Sequence, residues 1–288
     1  MNYTALIHNR KSVRAFSDKK VPLSVAKEIN KHFSHTGKRL VPDLKIQLHI
    51  FNVDVREALE GAAGYNSFLV GAPRYLVLLS EKHPYAALNA GYVMEDLVLK
   101  LSDLGLDSCW VTFTDSELVK SSLGIDSPLD VVSIVAFGYG LRTTKELRLN
   151  IKSMSNVDIS AKYRYMDPKR SVRELVYLNE WLNGEGLVEH IGFYGDMLWE
   201  AFYAASLSPS YLNRQAYGFL IHDGGISLVK RPDDYTTEHD GMLSLGIVLL
   251  HFTAVLGNWV GNLRWKLGDE AAKLTLPEGH ELVGTLAI

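Results

Sequence analysis

The order of apolar and polar positions along the chain predicts alternating helices and strands. Between Asn89 and Leu104 the apolar residues recur every three or four positions, which predicts an amphipathic helix that ends at Gly105. A continuous apolar run at 74–80 predicts a buried strand, and 108–112 and 130–139 are predicted to be strands as well. Predicted helices and predicted strands follow one another along the whole chain, so the pattern predicts an α+β fold.

Three stretches need separate interpretations. Residues 56–69 have the pattern of a helix, and residues 142–165 are polar and basic with little periodicity, which favours a crossing linker. From Met242 to Val260 there is no formally charged residue, so this stretch is nearly long enough to span a membrane. Polar residues interrupt it, however, and a helix that is apolar all round also occurs in the centre of a large core. We expect a buried helix here and no membrane.

The second half of the chain repeats the order of the first. Lys169-Arg170-Ser171-Val172-Arg173 corresponds to Arg10-Lys11-Ser12-Val13-Arg14, and the helix after Asp240-Gly241 corresponds to the helix after Ala90-Gly91. The second helix lacks the acids of the first, so we expect it to be buried more deeply. A tight hairpin at 222–225 replaces the 56–69 helix. The repeat predicts two halves, 1–155 and 156–288, intertwined into one compact unit.

The composition limits the function classes. The chain has 288 residues, of which 47% are hydrophobic, and a formal net charge of -3, which favours a globular protein and argues against nucleic acid as the main partner. Cys109 is the sole cysteine, so no internal disulfide forms, and with no signal-peptide pattern at Met1–His8 we expect a cytoplasmic protein. There is no metal-ligand spacing, G-x-G-x-x-G, Walker A or G-x-S-x-G motif. We expect no metal.

Two short stretches carry candidate chemistry. The first, 10–14, gathers three cations and a hydroxyl within five residues and can bind a phosphate, although a solvated basic turn has the same composition. The second follows a helix that Pro209 ends, and it presents the Ser210 hydroxyl, the Tyr211 ring and the Asn213 amide. Such a loop suits a flat ring compound with polar edges. A helix-to-strand connection without a ligand is the alternative.

The loop at 209–217 resembles the P-S-x-x-N-x-Q-x-W/Y loop of the flavin-dependent nitroreductases, and the chain resembles this family over almost its whole length. The R-K-S-V-R turn and the G-L-x-S-C-W-V run at Gly105–Val111 also match. The resemblance implies a nitroreductase-like α+β fold of the single-chain, tandem branch. In it two half-repeats form a pseudo-dimer, with mixed sheets flanked by helices and a buried central helix.

The resemblance also implies an FMN site. Arg10 and Ser12 would reach the phosphate and ribityl chain, Arg14 would lie near the pyrimidine edge, and the backbone after Trp110 would lie over the ring. The implied cofactor-binding residues are Arg10, Lys11, Ser12, Arg14, Asn66, Trp110, Val111, Thr112, Arg142, Lys145, Pro209, Ser210, Tyr211, Leu212 and Asn213. Arg148 is a third candidate beside Arg142 and Lys145 for a contact with the phosphate, and the choice among the three stays open. The second basic turn would meet the loop 35–42, which lacks Pro-Ser and Asn, so one FMN per chain is expected.

The implied function is that of an FMN-dependent oxidoreductase. It would pass hydride from NAD(P)H, which docks transiently, to an electron-poor small molecule of the nitroaromatic or quinone class. No side chain is predicted to act as a general acid, because the flavin carries the chemistry. The alternative is a carrier or sensor that binds FMN without turnover. The physiological acceptor, the choice between NADH and NADPH and any oligomerisation beyond a monomer that imitates a dimer stay open.

Overall fold

A computed structural model describes residues 1–65, 68–141, 145–153, 156–163, 168–268 and 272–287. The chain forms two compact units. The first unit comprises Met1 and Asn9–Asp167, and the second comprises Asn2–His8 and Pro168–Ile288. The halves 1–155 and 156–288 expected from the repeat stay a prediction.

The first unit is built on an antiparallel sheet. Its strands run in the order β1-β2-β4-β3, and helix α4 packs on the two central strands, β2 and β4, whose side chains are almost all buried. Continuous apolar runs thus occupy the middle of the sheet, as expected from their burial on both faces. After helix α1 (Tyr3–Asn9), its elements are α2 (Leu23–His35), β1 (Ile46–Phe51), α3 (Arg56–Leu59), β2 (Arg74–Ser80), α4 (Ala86–Asp103), β3 (Asp107–Val111), α5 (Ser116–Leu123), β4 (Asp130–Gly138), β5 (Lys145–Ser153) and β6 (Asn156–Tyr163).

The second unit contains a mixed sheet. Its strands run in the order β10-β11-β9-β8-β7, with β7 parallel to β8 and the other pairs antiparallel. Residues of α1 pack in this unit, where the His8 ring lies edge-on to Tyr203 at 5.2 Å. The elements are α6 (Val172–Leu175), β7 (Val176–Leu178), α7 (Leu187–Phe193), α8 (Asp196–Ser206), β8 (Tyr217–His222), β9 (Gly225–Lys230), α9 (Glu238–Leu256), β10 (Trp265–Leu267) and β11 (Glu281–Leu286).

The two sheets share one topology. If β7 is set aside, the order β8-β9-β11-β10 follows the chain in the same way as β1-β2-β4-β3. Each sheet has a register shift at the same place: Val132 is skipped between Val131 and Ser133, and Val283 between Leu282 and Gly284. A bulge changes twist and side-chain direction locally, so its recurrence at one site is a specific likeness. The two sheets therefore share a strand order and a register shift, and the duplication of the chain stays a prediction.

Helix α9 forms part of the core of the second unit. Phe202, Phe219 and Phe252 lie 5.1–5.3 Å apart, centroid to centroid, and Trp265 packs on Phe252 at 5.9 Å. Within the described part of the chain, α9 is the one helix long and apolar enough to cross a membrane, and 72% of its apolar window is buried inside the protein. Such burial is typical of a core helix of a soluble protein.

Three expectations from the sequence were wrong. The helix expected over 56–69 ends at Leu59, because Gly61 and Gly64 adopt positive φ angles of +79° and +109° that an α-helix excludes. The linker expected over 142–165 contains the antiparallel hairpin β5-β6. Helix α4, expected to be less buried than α9, is buried just as extensively, and its burial includes two acids. The tight hairpin at 222–225 is confirmed.

Candidate functional site

The first basic turn lies along the edge of the sheet of the first unit. Ser12 forms a parallel bridge with Ser108 in β3, and the amide of Val13 donates to the Ser108 carbonyl at 2.9 Å. Further on, the amide of Leu141 donates to the Ala15 carbonyl at 2.9 Å. The segment after α1 is therefore extended and tied to the sheet through its backbone.

Arg10 is a buried cation. Its side chain is 7% exposed, and its Nε lies 3.5 Å from Oε1 of Glu95, which is fully buried in α4. The other carboxylate oxygen of Glu95 accepts a hydrogen bond from Trp110 Nε1 at 2.9 Å. Within the described residues, Nε and Nη1 of Arg10 have no hydrogen-bond partner. A buried N–H without an acceptor costs free energy, so this guanidinium fits a bound oxyanion.

The other cations of the turn differ in exposure. Lys11 is exposed, and Arg14 is partly buried. Burial raises the pKa of the Cys109 thiol, and the positive charges of Arg14 and Arg10 lower it less than burial raises it. Cys109 is therefore a protonated, buried thiol at neutral pH and not a nucleophile, which agrees with an inert packing residue.

The backbone that follows β3 is held by the glycine-rich segment 61–65. Thr112 accepts a hydrogen bond from the amide of Gly64 at 2.7 Å, and Val111 is buried at 7% exposure. Trp110 is partly buried, with its indole N–H bonded to Glu95. Of the three residues predicted to lie by the flavin ring, Trp110 and Val111 thus belong to the edge strand β3 and Thr112 directly follows it; the same strand contacts the basic turn through Ser108.

Some of the predicted site residues cannot be placed. Asn66 and Arg142 lie outside the described residues. Lys145 begins β5 and Arg148 lies within it, in a hairpin of which the structure describes the backbone course. Their predicted contacts with the phosphate stay predictions.

The Pro209 loop, residues 209–215 of the second unit, has an unusual backbone. A 3₁₀ turn spans Tyr211–Asn213, and Leu212, Asn213 and Gln215 have φ angles of +50°, +57° and +47°. Non-glycine residues rarely adopt this left-handed region, and each costs about 1–3 kcal/mol unless surrounding contacts hold it. The sequence indicated a bend here but not this degree of backbone strain.

The amides that the sequence assigned to the flavin have partners within the second unit. Oδ1 of Asn213 accepts from Lys169 Nζ at 2.7 Å, and Nδ2 donates to the Pro168 carbonyl at 2.9 Å. Oε1 of Gln215 accepts from the amide of Arg170 at 2.8 Å. The second basic turn, Lys169–Arg173, thus contacts the Pro209 loop of its own unit. Its expected meeting with the loop 35–42 stays a prediction.

The loop 35–42 has its own anchors on α4 in the first unit. Asn89 Oδ1 accepts from the amides of Leu40 and Val41 at 3.0 and 3.1 Å. Asp96, fully buried, accepts from Thr36 Oγ1 at 2.7 Å and forms an ion pair with Lys38 at 3.8 Å. Burial lowers the pKa of Lys38, although Asp96 opposes that shift. This loop is therefore held by buried polar groups of its own unit.

A cavity of about 240 Å³ lies beside the Pro209 loop in the second unit. Ligand pockets typically measure about 300–1,000 Å³, so it is small for one. Two ion pairs occupy its wall: Arg214 with Asp233 at 2.7 Å, and Lys230 with Glu281 at 3.2 Å. Arg231, also in the wall, bonds to the Glu174 carbonyl and the Tyr177 hydroxyl. We therefore do not assign a ligand to it. Over the part of the chain that the structure describes, no cluster of three or more His, Cys, Asp or Glu residues could hold a metal ion.

Comparison with known proteins identifies the family. The family model described as "Putative TM nitroreductase" matches residues 2–255. This chain is a member of that nitroreductase family. No curated protein matches it. A structure from Thermotoga maritima MSB8 described as a "putative nitroreductase" is 20% identical, covers 98% of this chain and 93% of its own, and has a TM-score of 0.58. The nitroreductase-like fold expected from the sequence is confirmed.

Other solved nitroreductase relatives match half of this chain. An FMN-dependent nitroreductase from Clostridium difficile R20291 is 20% identical over 49% of this chain and 89% of its own, with a TM-score of 0.40. Iodotyrosine deiodinase, solved with FMN and 3-iodo-L-tyrosine, is 21% identical over 52% of this chain and 95% of its own, with a TM-score of 0.42. The descriptions of both structures name FMN as their flavin.

Sequence reasoning missed Glu95, which organises the site of this nitroreductase-family chain. Glu95 holds both Arg10 and Trp110, yet an acid in an amphipathic helix is usually interpreted as part of a solvated face. Lys169 was missed for a different reason, since its role depends on a contact 44 residues away. A local signal did exist for helix α6 in the same turn, because Ser171-Val172-Arg173-Glu174 is a capping-box pattern that predicts the start of a helix.

Proposed function

We propose that this protein is an FMN-dependent oxidoreductase that passes hydride from NAD(P)H to an electron-poor small molecule of the nitroaromatic or quinone class. The observation that carries the proposal is Arg10, a nearly fully buried guanidinium with two nitrogens that lack acceptors among the described residues. A phosphate would supply charged acceptor oxygens to those nitrogens. The family assignment supports FMN as the source of that phosphate.

The first basic turn would hold the polar end of the cofactor. Arg10, Lys11 and Ser12 would bind the phosphate and ribityl chain, while the Arg14 cation would stabilise negative charge near the pyrimidine edge. The backbone of Trp110–Thr112, tied to this turn through Ser108, would orient the ring. Bound FMN supplies the hydride-accepting group, and the protein supplies orientation and charge.

The Pro209 loop is assigned to the flavin by family resemblance. Since the amide of Asn213 is engaged with Lys169 and Pro168, this loop would contact the ring mainly through Pro209, Ser210, Tyr211 and Leu212. We also propose that Asn66, Arg142 and Lys145 contact FMN as the resemblance implies. The matching strand order of the two sheets supports a duplicated chain, and the single Cys109 supports a cytoplasmic location.

Flavin binding is tested with FMN and with riboflavin, which lacks the phosphate. Arg10→Met should weaken FMN binding by about 10- to 100-fold, because charge-assisted bonds to a phosphate are lost, and should change riboflavin affinity by less than about 3-fold. Fluorescence quenching of each flavin measures both. Arg173→Met, at an exposed arginine, is the matched control. Equal loss for both flavins, or no flavin binding by the wild type, would contradict the proposal.

Turnover separates an enzyme from a carrier or sensor. We expect steady-state oxidation of NAD(P)H with a quinone or nitroaromatic acceptor, and bleaching of the bound flavin when NAD(P)H is added without acceptor under argon. Bound flavin that stays oxidised with both nucleotides would favour the carrier or sensor.

A further inference from the structure

The two copies of the basic turn have different local structures. In the first copy the chain stays extended along β3 from Ser12 onward. In the second copy helix α6 begins at Val172, and Ser171 is its N-cap. The carboxylate of Glu174 accepts from the amide and the hydroxyl of Ser171 at 2.8 and 2.7 Å. The first copy has Ala15 at the position of Glu174, so it lacks the capping box.

The leading cations of the two turns also differ. Arg10 is buried beside Glu95, and two of its nitrogens have no hydrogen bond to the described residues. Lys169, at the corresponding position, donates from Nζ to the Ser208 carbonyl at 2.8 Å and to Asn213 Oδ1 at 2.7 Å. These two acceptors lie on either side of Pro209: Ser208 directly precedes the loop, and Asn213 is the last residue of its 3₁₀ turn. Lys169 therefore connects the start of the loop with the end of the 3₁₀ turn.

The loop needs such support. Its left-handed residues Leu212, Asn213 and Gln215 are unfavourable by themselves, so bonds from outside must hold them. The chain segment 168–170 supplies bonds at three points: the Pro168 carbonyl, the Arg170 amide and the Lys169 ammonium. From inside the unit, Gln215 Nε2 donates to the Ser206 carbonyl at 2.9 Å and Ser244 Oγ accepts from the amide of Tyr211 at 3.1 Å. Lys169 is the charged member of this set.

We propose that the second basic turn has lost phosphate binding and now clamps the Pro209 loop, with Lys169 as the positioning residue that sets the loop's geometry. The clamp itself stands on contacts within the second unit. Its effect on flavin binding rests on the proposed function. Because the proposed function has the loop contact the ring rather than the phosphate, Lys169 should affect FMN and riboflavin alike, unlike Arg10.

The test compares the full-length wild type with Lys169→Met, which removes the donor at similar volume, and with Lys169→Arg, which restores it. Arg173→Met, in the same turn, is the control. In flavin-free protein, amide hydrogen exchange at Asn213, Arg214 and Gln215 should become about tenfold faster in Lys169→Met. Exchange in β8 should stay unchanged, and Lys169→Arg should return the loop towards the wild-type rates. If Lys169→Met does not fold, Lys169→Gln serves in its place, since its shorter side chain cannot reach both acceptors.

Flavin titrations complete the test. Lys169→Met should lower the affinities for FMN and for riboflavin by the same factor, about three- to tenfold. Unchanged loop exchange would overturn the clamp, and a larger loss for FMN than for riboflavin would overturn the positioning role in favour of phosphate binding. If the wild type binds no flavin, the proposed function fails. The exchange data then decide on the clamp alone, with faster exchange supporting it and unchanged exchange overturning it.

Discussion

At the residue scale, two adjacent acids of α4 position much of the first unit. Glu95 and Asp96 are both fully buried, and consecutive helical side chains point in directions about 100° apart. Glu95 therefore reaches Arg10 and Trp110, while Asp96 reaches His32 at 2.7 Å together with Thr36 and Lys38. A buried carboxylate is tolerated only when it is paired, so these acids determine which segments pack against α4.

A double-mutant cycle tests the pairing of Arg10 with Glu95. Glu95→Gln and Arg10→Met should each lower the free energy of unfolding by about 2–4 kcal/mol, because each leaves a buried charge unpaired. The free energy of unfolding of the double variant should fall by about 1–3 kcal/mol less than the sum of the two single losses. Urea denaturation measures all three. Asp96→Asn with Arg10→Met is the matched control and should be additive within about 0.5 kcal/mol. Additive losses for the Glu95 pair would contradict the ion pair.

Tyr217 predicts a pH dependence in the second unit. Its hydroxyl is buried, donates to the Ala205 carbonyl at 2.9 Å and accepts from Gln215 Nε2 at 3.2 Å. Burial raises its pKa above the ordinary value. The unfolded chain ionises near pH 10, so the stability from Tyr217 is fully present below about pH 10 and is lost as pH rises further.

Tyr217→Phe should be less stable than the wild type by about 1 kcal/mol at pH 8, because the hydrogen bonds are lost. The difference should shrink at about 1.4 kcal/mol per pH unit above about pH 10. Chemical denaturation at pH 8 to 11 measures it. Tyr75, whose pKa burial also raises, is present in both proteins and cancels in the comparison. A constant difference over this range would be evidence against a neutral, buried Tyr217.

At the element scale, glycines decide where the predicted elements end. Gly61 and Gly64 stop the helix that the apolar pattern predicted over 56–69. Gly225, with a φ of +122°, closes the β8-β9 hairpin where the sequence predicted a tight turn. A side chain at Gly225 would also meet β11, since its Cβ would lie 2.1 Å from the Leu286 carbonyl oxygen. The hairpin turn and the β9-β11 pairing therefore depend on one residue.

Adjacent glycines test this dependence. Gly225→Ala should lower the free energy of unfolding by about 3 kcal/mol or more, because the backbone is strained and the carbonyl must move. At Gly224 a new Cβ would lie 3.0 Å from the His222 side chain, which must shift by only a few tenths of an ångström, so Gly224→Ala should cost less, about 1 kcal/mol. Thermal denaturation of both variants provides the comparison. Similar losses at the two positions would show that the close approach to β11 is not decisive.

At the scale of the whole molecule, the same sheet topology occurs in both units, but the basic turns of the two units make different contacts. Both sheets have the same strand order and the same bulge. The basic turn of the first unit has a buried arginine that can bind an anion. In the turn of the second unit, Ser171 caps helix α6 and Lys169 donates to the Ser208 carbonyl. The duplicated sequence motif thus has two different structural roles.

This difference predicts one FMN per chain. After reconstitution with excess FMN and removal of the unbound flavin, the ratio of flavin to protein should approach one. Visible absorbance gives the flavin concentration, and amino-acid analysis gives the protein concentration. Arg10→Met should lower the ratio at a fixed FMN concentration, and Arg173→Met should not. A ratio near two would mean that the second turn also binds a flavin.

Local sequence signals predicted those parts of the fold that local physics decides. The apolar run 74–80 became β2 with the same bounds, and Ser116–Leu123 became α5, because Asp115 caps it and Gly124 ends it in the left-handed region. The hairpin β5-β6 was missed although Leu147, Leu149 and Ile151 alternate with polar residues. The two-residue alternation typical of a strand was therefore present in the sequence but was interpreted as a linker without periodicity.

The sequence by itself determined the α+β class, the repeated order of elements and the cationic turn with its resemblance to a flavin site, because periodicity, turn residues and charge clustering are local properties. Only the tertiary structure decided that Glu95 is buried against Arg10 and that Lys169 holds Asn213, since both pairs join residues far apart in the chain. The desolvation of a charge depends on what surrounds it in space. For that reason two copies of nearly the same turn could acquire different partners.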